Sequence, residues 1–185
     1  MPDGAPLPSD GTALAFTLRS KEALMARTSA IHEYLRDAHV PYTVVPHWPA
    51  FTAQEEAAAT HVPGRSWAKV VVCFVDGRAI EAMLPATAIV DLDRLLDLAG
   101  GNEIRLADES ELRHLFPDCE PGAMPPFGPL NHEAVFADVA LAGEPEIAFN
   151  GGTHSEAIGM RWTDFARSVR PIVGKFAEHR QVAVS

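Results

Sequence analysis

The chain is poor in cysteine: Cys73 and Cys119 are all it has. They form no CxxC pair and cannot staple 185 residues, so the reading is a reducing, cytoplasmic setting rather than a disulfide-built secreted one. Positive charge is scarce too. Fifteen Lys and Arg stand against 25 Asp and Glu, for a net charge of −10. That balance opposes broad attraction to nucleic acid or to anionic membranes, so a nucleic-acid partner needs a local contact. No apolar run approaches a membrane span. Ala13 to Phe16 is too short for a signal peptide, and no Lys or Arg precedes Arg19. Nucleotide and nucleophile signatures are missing as well: there is no GxxxxGK[ST], no GxGxxG and no GxSxG. His32-Glu33 begins like a zinc helix, but His39 follows at seven residues rather than four, off the face a metal needs. No metal site and no cofactor is therefore expected.

What is present is an ordinary globular composition, 47% hydrophobic and 22% charged, in a chain long enough for one full core. Residues 1–18, with Pro2, Gly4, Pro6, Pro8 and Gly11, read as a flexible tail; 19–178 read as one domain and 179–185 as a frayed end. A helix is expected from Ser20 to Ala38, with Leu24, Thr28, Ile31 and Leu35 on one stripe, stopped by Pro41. A short strand, Tyr42 to Val45, leads into a rigid Pro-His-Trp-Pro loop. Thr52-Ala53-Gln54-Glu55 has the form of a capping box opening a second helix. Asp76-Gly77 signals a hairpin between strands at Trp67–Val75 and Ala79–Leu84. Asp91 and Asp108 are placed to cap further helices, ending near Leu98 and Leu115. Strands are expected at Glu103–Leu106, Ala134–Ala137, Glu146–Phe149 and Ala157–Arg161, and a last helix from Thr163 or Asp164, interrupted near Pro171. Short strands alternating irregularly with short helices fit a mixed α/β (α+β) domain: a barrel-like mixed sheet with peripheral helices.

Two local features invite chemistry. Lys69 lies in the most β-branched run of the chain, Trp67 to Val75. It is either a strand-end lysine with its ammonium in water or the charged centre of a site. Asn150-Gly151-Gly152 is either a plain turn or, with Thr153, His154 and Ser155 beside it, a donor turn for an oxyanion. Residues 117–129 carry five prolines with Met124 and Phe127, which reads as a packed, shaped loop.

Taken in order, several segments resemble a known family. They are Thr52-Ala53-Gln54-Glu55-Glu56-Ala57-Ala58, Ala68-Lys69-Val70-Val71-Val72, Glu120-Pro121-Gly122, Pro126-Phe127-Gly128 and Phe149-Asn150-Gly151-Gly152. The chain is similar to the YbaK / prolyl-tRNA synthetase-associated editing domains. The resemblance implies hydrolysis of the ester that joins a mischarged amino acid to tRNA, without metal or protein nucleophile. It implies that Lys69 holds the terminal adenosine or the ester oxygens and that Gly151 and Gly152 N–H groups meet the oxyanion. His154 would orient water, bind the amino group or ribose, or act as a base. Phe51, Met83, Pro85, Met124 and Phe127 would wall a pocket that sorts small side chains, with Gly128 and Asn150 also against the substrate. The partner implied is the tRNA acceptor end, gripped there alone or by a basic face from Arg65, Lys69, Arg78 and Arg161. The expectation is a free-standing deacylase acting in trans on small residues such as Ala, Cys or Ser. A non-catalytic binding module, or a hydrolase of another small aminoacyl ester, is the alternative. The assembly is open between monomer and homodimer.

Overall fold

The computed structural model describes residues 30–179. Helix α1 covers 30–37, and its Ile31 and Leu35, four apart on one face, are buried. The earlier part of the helix expected from Ser20, and the tail before it, lie outside the described residues. Strand β1 (Thr43–Pro46) leads to helix α2 (Ala53–Ala59). The capping box there is complete: the Thr52 hydroxyl accepts from Glu55 N–H, and the Glu55 carboxylate accepts from Thr52 N–H. A hairpin follows, β2 (Ala68–Val75) and β3 (Arg78–Pro85), turning at Asp76-Gly77. Next come β4 (Ala88–Val90), α3 (Leu92–Ala99), β5 (Ile104–Leu106), α4 (Glu109–Leu115) and α5 (Gly128–Asn131). Asp91 and Asp108 cap α3 and α4 through their side chains. The chain continues through β6 (Ala134–Asp138), α6 (Val139–Ala142), β7 (Glu146–Asn150), β8 (Glu156–Arg161), α7 (Trp162–Val169), β9 (Ile172–Gly174) and β10 (Ala177–His179).

The mixed α/β domain is the expected class, but its strands do not form one barrel-like sheet. They divide into a five-stranded sheet in the order β5-β2-β3-β6-β9, a three-stranded sheet β1-β8-β7 and the pair β4-β10. The large sheet is antiparallel across β5, β2 and β3 and parallel across β3, β6 and β9. Its two faces bury different partners. Ala68 and Met83 pack with Phe127, Phe149 and Phe165 in one cluster that includes Ile31 and Leu35. On the other face Cys73, Ala82 and Leu84 pack with Leu95 of α3 and with Phe176. The small sheet approaches the large one at an isolated parallel bridge between Trp67 and Ala148, and Trp67 is fully buried there.

Five short elements were not anticipated: β4, α5, α6, β9 and β10. Each has three or four residues. Segments this short carry no periodicity and exist only because a distant strand or cap receives them. Asp138 supplies one such cap. It is 2% exposed; Oδ1 accepts from Ala140 N–H at 2.9 Å, while Oδ2 accepts from Phe176 and Ala177 N–H at 2.8 and 2.7 Å. One carboxylate thus starts α6 and fastens the strap that carries β10. Asp138→Ala leaves three backbone donors, the Phe176 N–H fully buried among them, without their acceptor and is expected to lower stability by about 3 kcal/mol, read from the urea midpoint at unchanged slope. A loss under about 0.5 kcal/mol would show the strap is held by packing alone.

Candidate functional site

The β7–β8 turn forms the centre of the site. Gly152 has φ 108, a left-handed conformation that a side chain resists. Gly151 N–H donates to Glu156 O at 3.0 Å and Gly152 N–H to Ala123 O at 3.1 Å; Glu120 N–H returns a bond to Gly152 O at 2.9 Å. Both glycine donors expected to face an oxyanion are therefore engaged with carbonyls in this conformation. Gly151 closes the β7–β8 turn on itself, and Gly152 sews that turn to the 117–129 loop through Ala123 and Glu120. That loop is packed, as its composition suggested: residues 123–128 are buried.

Beneath the turn lies a carboxylate that sequence reasoning did not single out. Glu56, on α2, is 2% exposed. Its Oε1 accepts from His154 Nδ1 at 2.7 Å and from Asn150 Nδ2 at 2.9 Å. His154 Nε2 meets the Pro121 carbonyl at 2.8 Å, and His154 N–H donates to Glu120 Oε2 at 2.5 Å. A carboxylate and a carbonyl both accept, and a neutral imidazole has one N–H, so only the imidazolium satisfies both contacts. Burial opposes that charge. The Glu56 hydrogen bond, the Pro121 carbonyl and the charges of Glu56 and Glu120 outweigh it, and the His154 pKa is raised. His154 is thus a cationic pin between α2 and the loop, with neither nitrogen open as a base. Asn150 Oδ1, in contrast, is buried with no hydrogen-bond partner among the described residues.

Lys69 is half-buried on β2, opposite Leu84. Its Nζ donates to the Ala88 carbonyl at 2.5 Å. Strand alternation puts it on the face of Val71 and Cys73, away from Ala68 and Val70. The Trp67–Ala148 bridge is parallel, so Lys69 and Asn150 each lie two residues beyond it on chains that set out in the same direction.

Residues 47–168, about two-thirds of the chain, match the aminoacyl-tRNA editing domain family. The chain belongs to that family. Solved structures share the fold. Hypothetical protein APE2540 is 19% identical with a TM-score of 0.73, covering 80% of this chain and 99% of its own. A structure described as a candidate trans-editing enzyme for prolyl-tRNA synthetase is 24% identical with a TM-score of 0.71, covering 82% and 97%. A scaffold used for epitope backbone grafting is 23% identical with a TM-score of 0.72, covering 82% and 97%. At such identities the likeness is one of fold. No curated protein matches the sequence. The function of an editing domain is of the aminoacyl-tRNA deacylase kind.

Of the expected site residues, this editing domain gathers Asn150, Gly151, Gly152, His154 and Phe51; the rings of Phe51 and His154 are 5.3 Å apart. Pro85 stands opposite Ala68, beside Lys69 at the open end of the β2–β3 hairpin. The remaining pocket walls are core instead. Met83 and Phe127 belong to one buried cluster and Met124 to another, with Val72 and Phe116. Gly128 is small for backbone reasons, since a Cβ there would lie 2.2 Å from Glu133 O. The expected basic face does not form. Lys69 and Arg78 lie towards opposite ends of the hairpin, and Arg65 is ion-paired with Glu144 at 3.3 Å. A cleft of about 550 Å³ opens elsewhere, against the small sheet at Thr43, Ala148 and Gly159; Arg65 and Arg161 of the expected basic face line it, but Lys69, the Asn150–His154 turn and the expected pocket walls do not. Among the described residues no group of three His, Cys, Asp or Glu could hold a metal ion, and no helix is long and apolar enough to cross a membrane.

The raised His154 pKa fixes a pH signature. A group whose folded pKa exceeds its unfolded value stabilises fully below the unfolded value, here about 6.5, and loses that contribution as pH rises through the folded one. The stability gap between wild type and His154→Phe is expected to shrink as pH rises above about 6.5 and through the raised folded pKa, by thermal melts. Glu56→Gln should lower the His154 pKa in an NMR titration, and Glu56→Ala should cost about 3 kcal/mol by exposing a buried cation without its partner. A pH-independent gap with an unmoved His154 resonance would show that the ring is neutral.

Proposed function

We propose that this editing domain hydrolyses, in trans and in the cytoplasm, the ester of a tRNA mischarged with a small amino acid such as alanine, cysteine or serine. The observation that carries the proposal is the corner at the parallel Trp67–Ala148 bridge: Lys69 and Asn150 each follow it by two residues, and His154 joins Asn150 on the Glu56 carboxylate. Asn150 Oδ1 is an unsatisfied buried acceptor, a state that costs about 1–3 kcal/mol; a substrate ammonium reaching it would relieve that cost. Lys69 would exchange its Ala88 carbonyl for the oxygens of the ester or the terminal ribose. His154, held cationic, would supply positive potential to the developing oxyanion rather than take a proton. The Gly152 N–H would join only if Ala123 of the 117–129 loop released it, and the Gly151 N–H only if it gave up Glu156 O. The neighbour described as a candidate trans-editing enzyme for prolyl-tRNA synthetase supports the trans mode. Small side chains suit a corner where Met83 and Pro85 are buried.

A non-catalytic binding module on the same fold is the second reading. One observation favours it: Phe127 and Met124 fill core positions instead of bordering an open pocket. A deacylation panel of alanyl, cysteinyl and seryl esters on non-cognate tRNA separates the two. Wild type is expected to hydrolyse at least one, and Lys69→Ala to lower the rate about 100-fold, the usual scale for removing one electrostatic stabiliser. Unchanged hydrolysis in Lys69→Ala removes the lysine from the mechanism. No hydrolysis of any ester makes the chain a binding module.

A further inference from the structure

The loop between β1 and α2 holds two aromatic side chains out in water. Trp48 is 89% exposed and Phe51 74%. The other large apolar side chains that are exposed rather than half-buried among the described residues are aliphatic, and Leu106, the most exposed of them, stands at 51%. Single exposed hydrophobes are ordinary, but a mobile loop would fold two such rings inward. This loop is held. Pro46 and Pro49 restrict its backbone. His47 N–H donates to Ser155 O and Ala50 N–H to His154 O, while Phe51 and Thr52 N–H both donate to Glu55 Oε2. Ala50, between the two aromatics, is buried. The exposure is therefore built into the loop.

We infer that Trp48 and Phe51 form a stacking platform for the unpaired bases at the 3′ end of the substrate RNA. The inference rests on the deacylase reading for the identity of the ligand. It adds the means of grip: flat, uncharged ring faces. Three features on this chain favour a nucleobase over other occupants. The net charge of −10 repels a phosphate backbone, Lys69 and Arg78 stand apart and Arg65 is paired with Glu144, so the hold is drawn from something other than charge. Ring faces stack on any base, which suits a terminus shared by many RNAs. Phe51 lies 5.3 Å from the His154 ring, so a base stacked on Phe51 would leave its ribose and ester beside the Asn150–His154 turn. Phe51 thereby moves from the pocket wall first expected to the approach to the pocket.

The experiment uses the full chain, uncharged tRNA and a single-stranded RNA of its last four nucleotides, so that no hydrolysis is needed. Binding is read for every variant from the anisotropy of the end-labelled short RNA; in wild type and Phe51→Ala, quenching of solvent-exposed emission also reports on Trp48, since Trp67 is fully buried and Trp162 half-buried. Wild type is expected to bind the short RNA with a shallow salt dependence, because few phosphates are neutralised. Trp48→Ala and Phe51→Ala should each weaken binding about tenfold, while Trp48→Phe stays within about twofold. Unchanged melting temperatures would show that both Ala variants fold. The platform is overturned if wild type does not bind the short RNA, if the Ala variants bind as wild type does, or if Trp48→Phe fails as badly as Trp48→Ala. It is equally overturned if sedimentation shows that Trp48→Ala breaks a dimer, which would make the face a contact between copies. RNA binding without deacylation would remove the enzymatic reading and leave the platform standing.

Discussion

A carboxylate removed from water must be matched, and the site takes its shape from how Glu56 is matched. One oxygen receives both the Asn150 amide and the His154 ring, groups on the far side of the small sheet's last turn. An unpaired charge there would cost several kcal/mol, so the helix, the turn and the cation assemble together. Helix α2 is only seven residues long and would be marginal alone. Its capping box sets where it starts, and Glu56 ties it to the turn. The 117–129 loop then closes on that pin through Pro121, Glu120 and Ala123.

The result is a site that is ordered but closed. Its glycine donors bond carbonyls, its imidazolium bonds two acceptors, and its lysine bonds a third carbonyl. Chemistry at such a place works through preset charge and position rather than through a free base, in keeping with a family whose reaction is ester cleavage. Asn150 Oδ1 is the exception, a buried acceptor without a partner among the described residues. The loop before α2 stands on the other side of the same pin, because Ala50 bonds His154 O. A change of charge at His154 is therefore felt by the turn, by the 117–129 loop and by the aromatic loop at once.

Much of the fold was legible because its signals are local. Both capping boxes, the Asp91 cap and the Asp76-Gly77 hairpin act over two to four residues, and each appears where it was read. Lys69, His154 and the Gly-Gly turn stood out for a similar reason: each breaks the chemistry of its neighbours. Which way they face was not legible. Lys69 reads as a solvated strand end or as the centre of a site, and that its ammonium meets a carbonyl depended on where β4 came to rest. Met124 and Phe127 read equally well as pocket or core, and packing against Phe116 and Phe149 decided for core.

Glu56 shows the limit most clearly. In the chain it is one more acid in an acidic helix start, and nothing within four residues distinguishes it from Glu55. Glu55 closes a cap on its own helix; Glu56 meets residues 94 and 98 positions away. Caps, turns and alternation were determined by the sequence itself, since the partners of those interactions are neighbours in the chain. The buried ion pair, the parallel β3-β6-β9 edge and the division into three sheets were decided by the tertiary structure. Their partners are distant in the chain, and only the folded core brings them within hydrogen-bonding distance and removes the water that would otherwise compete.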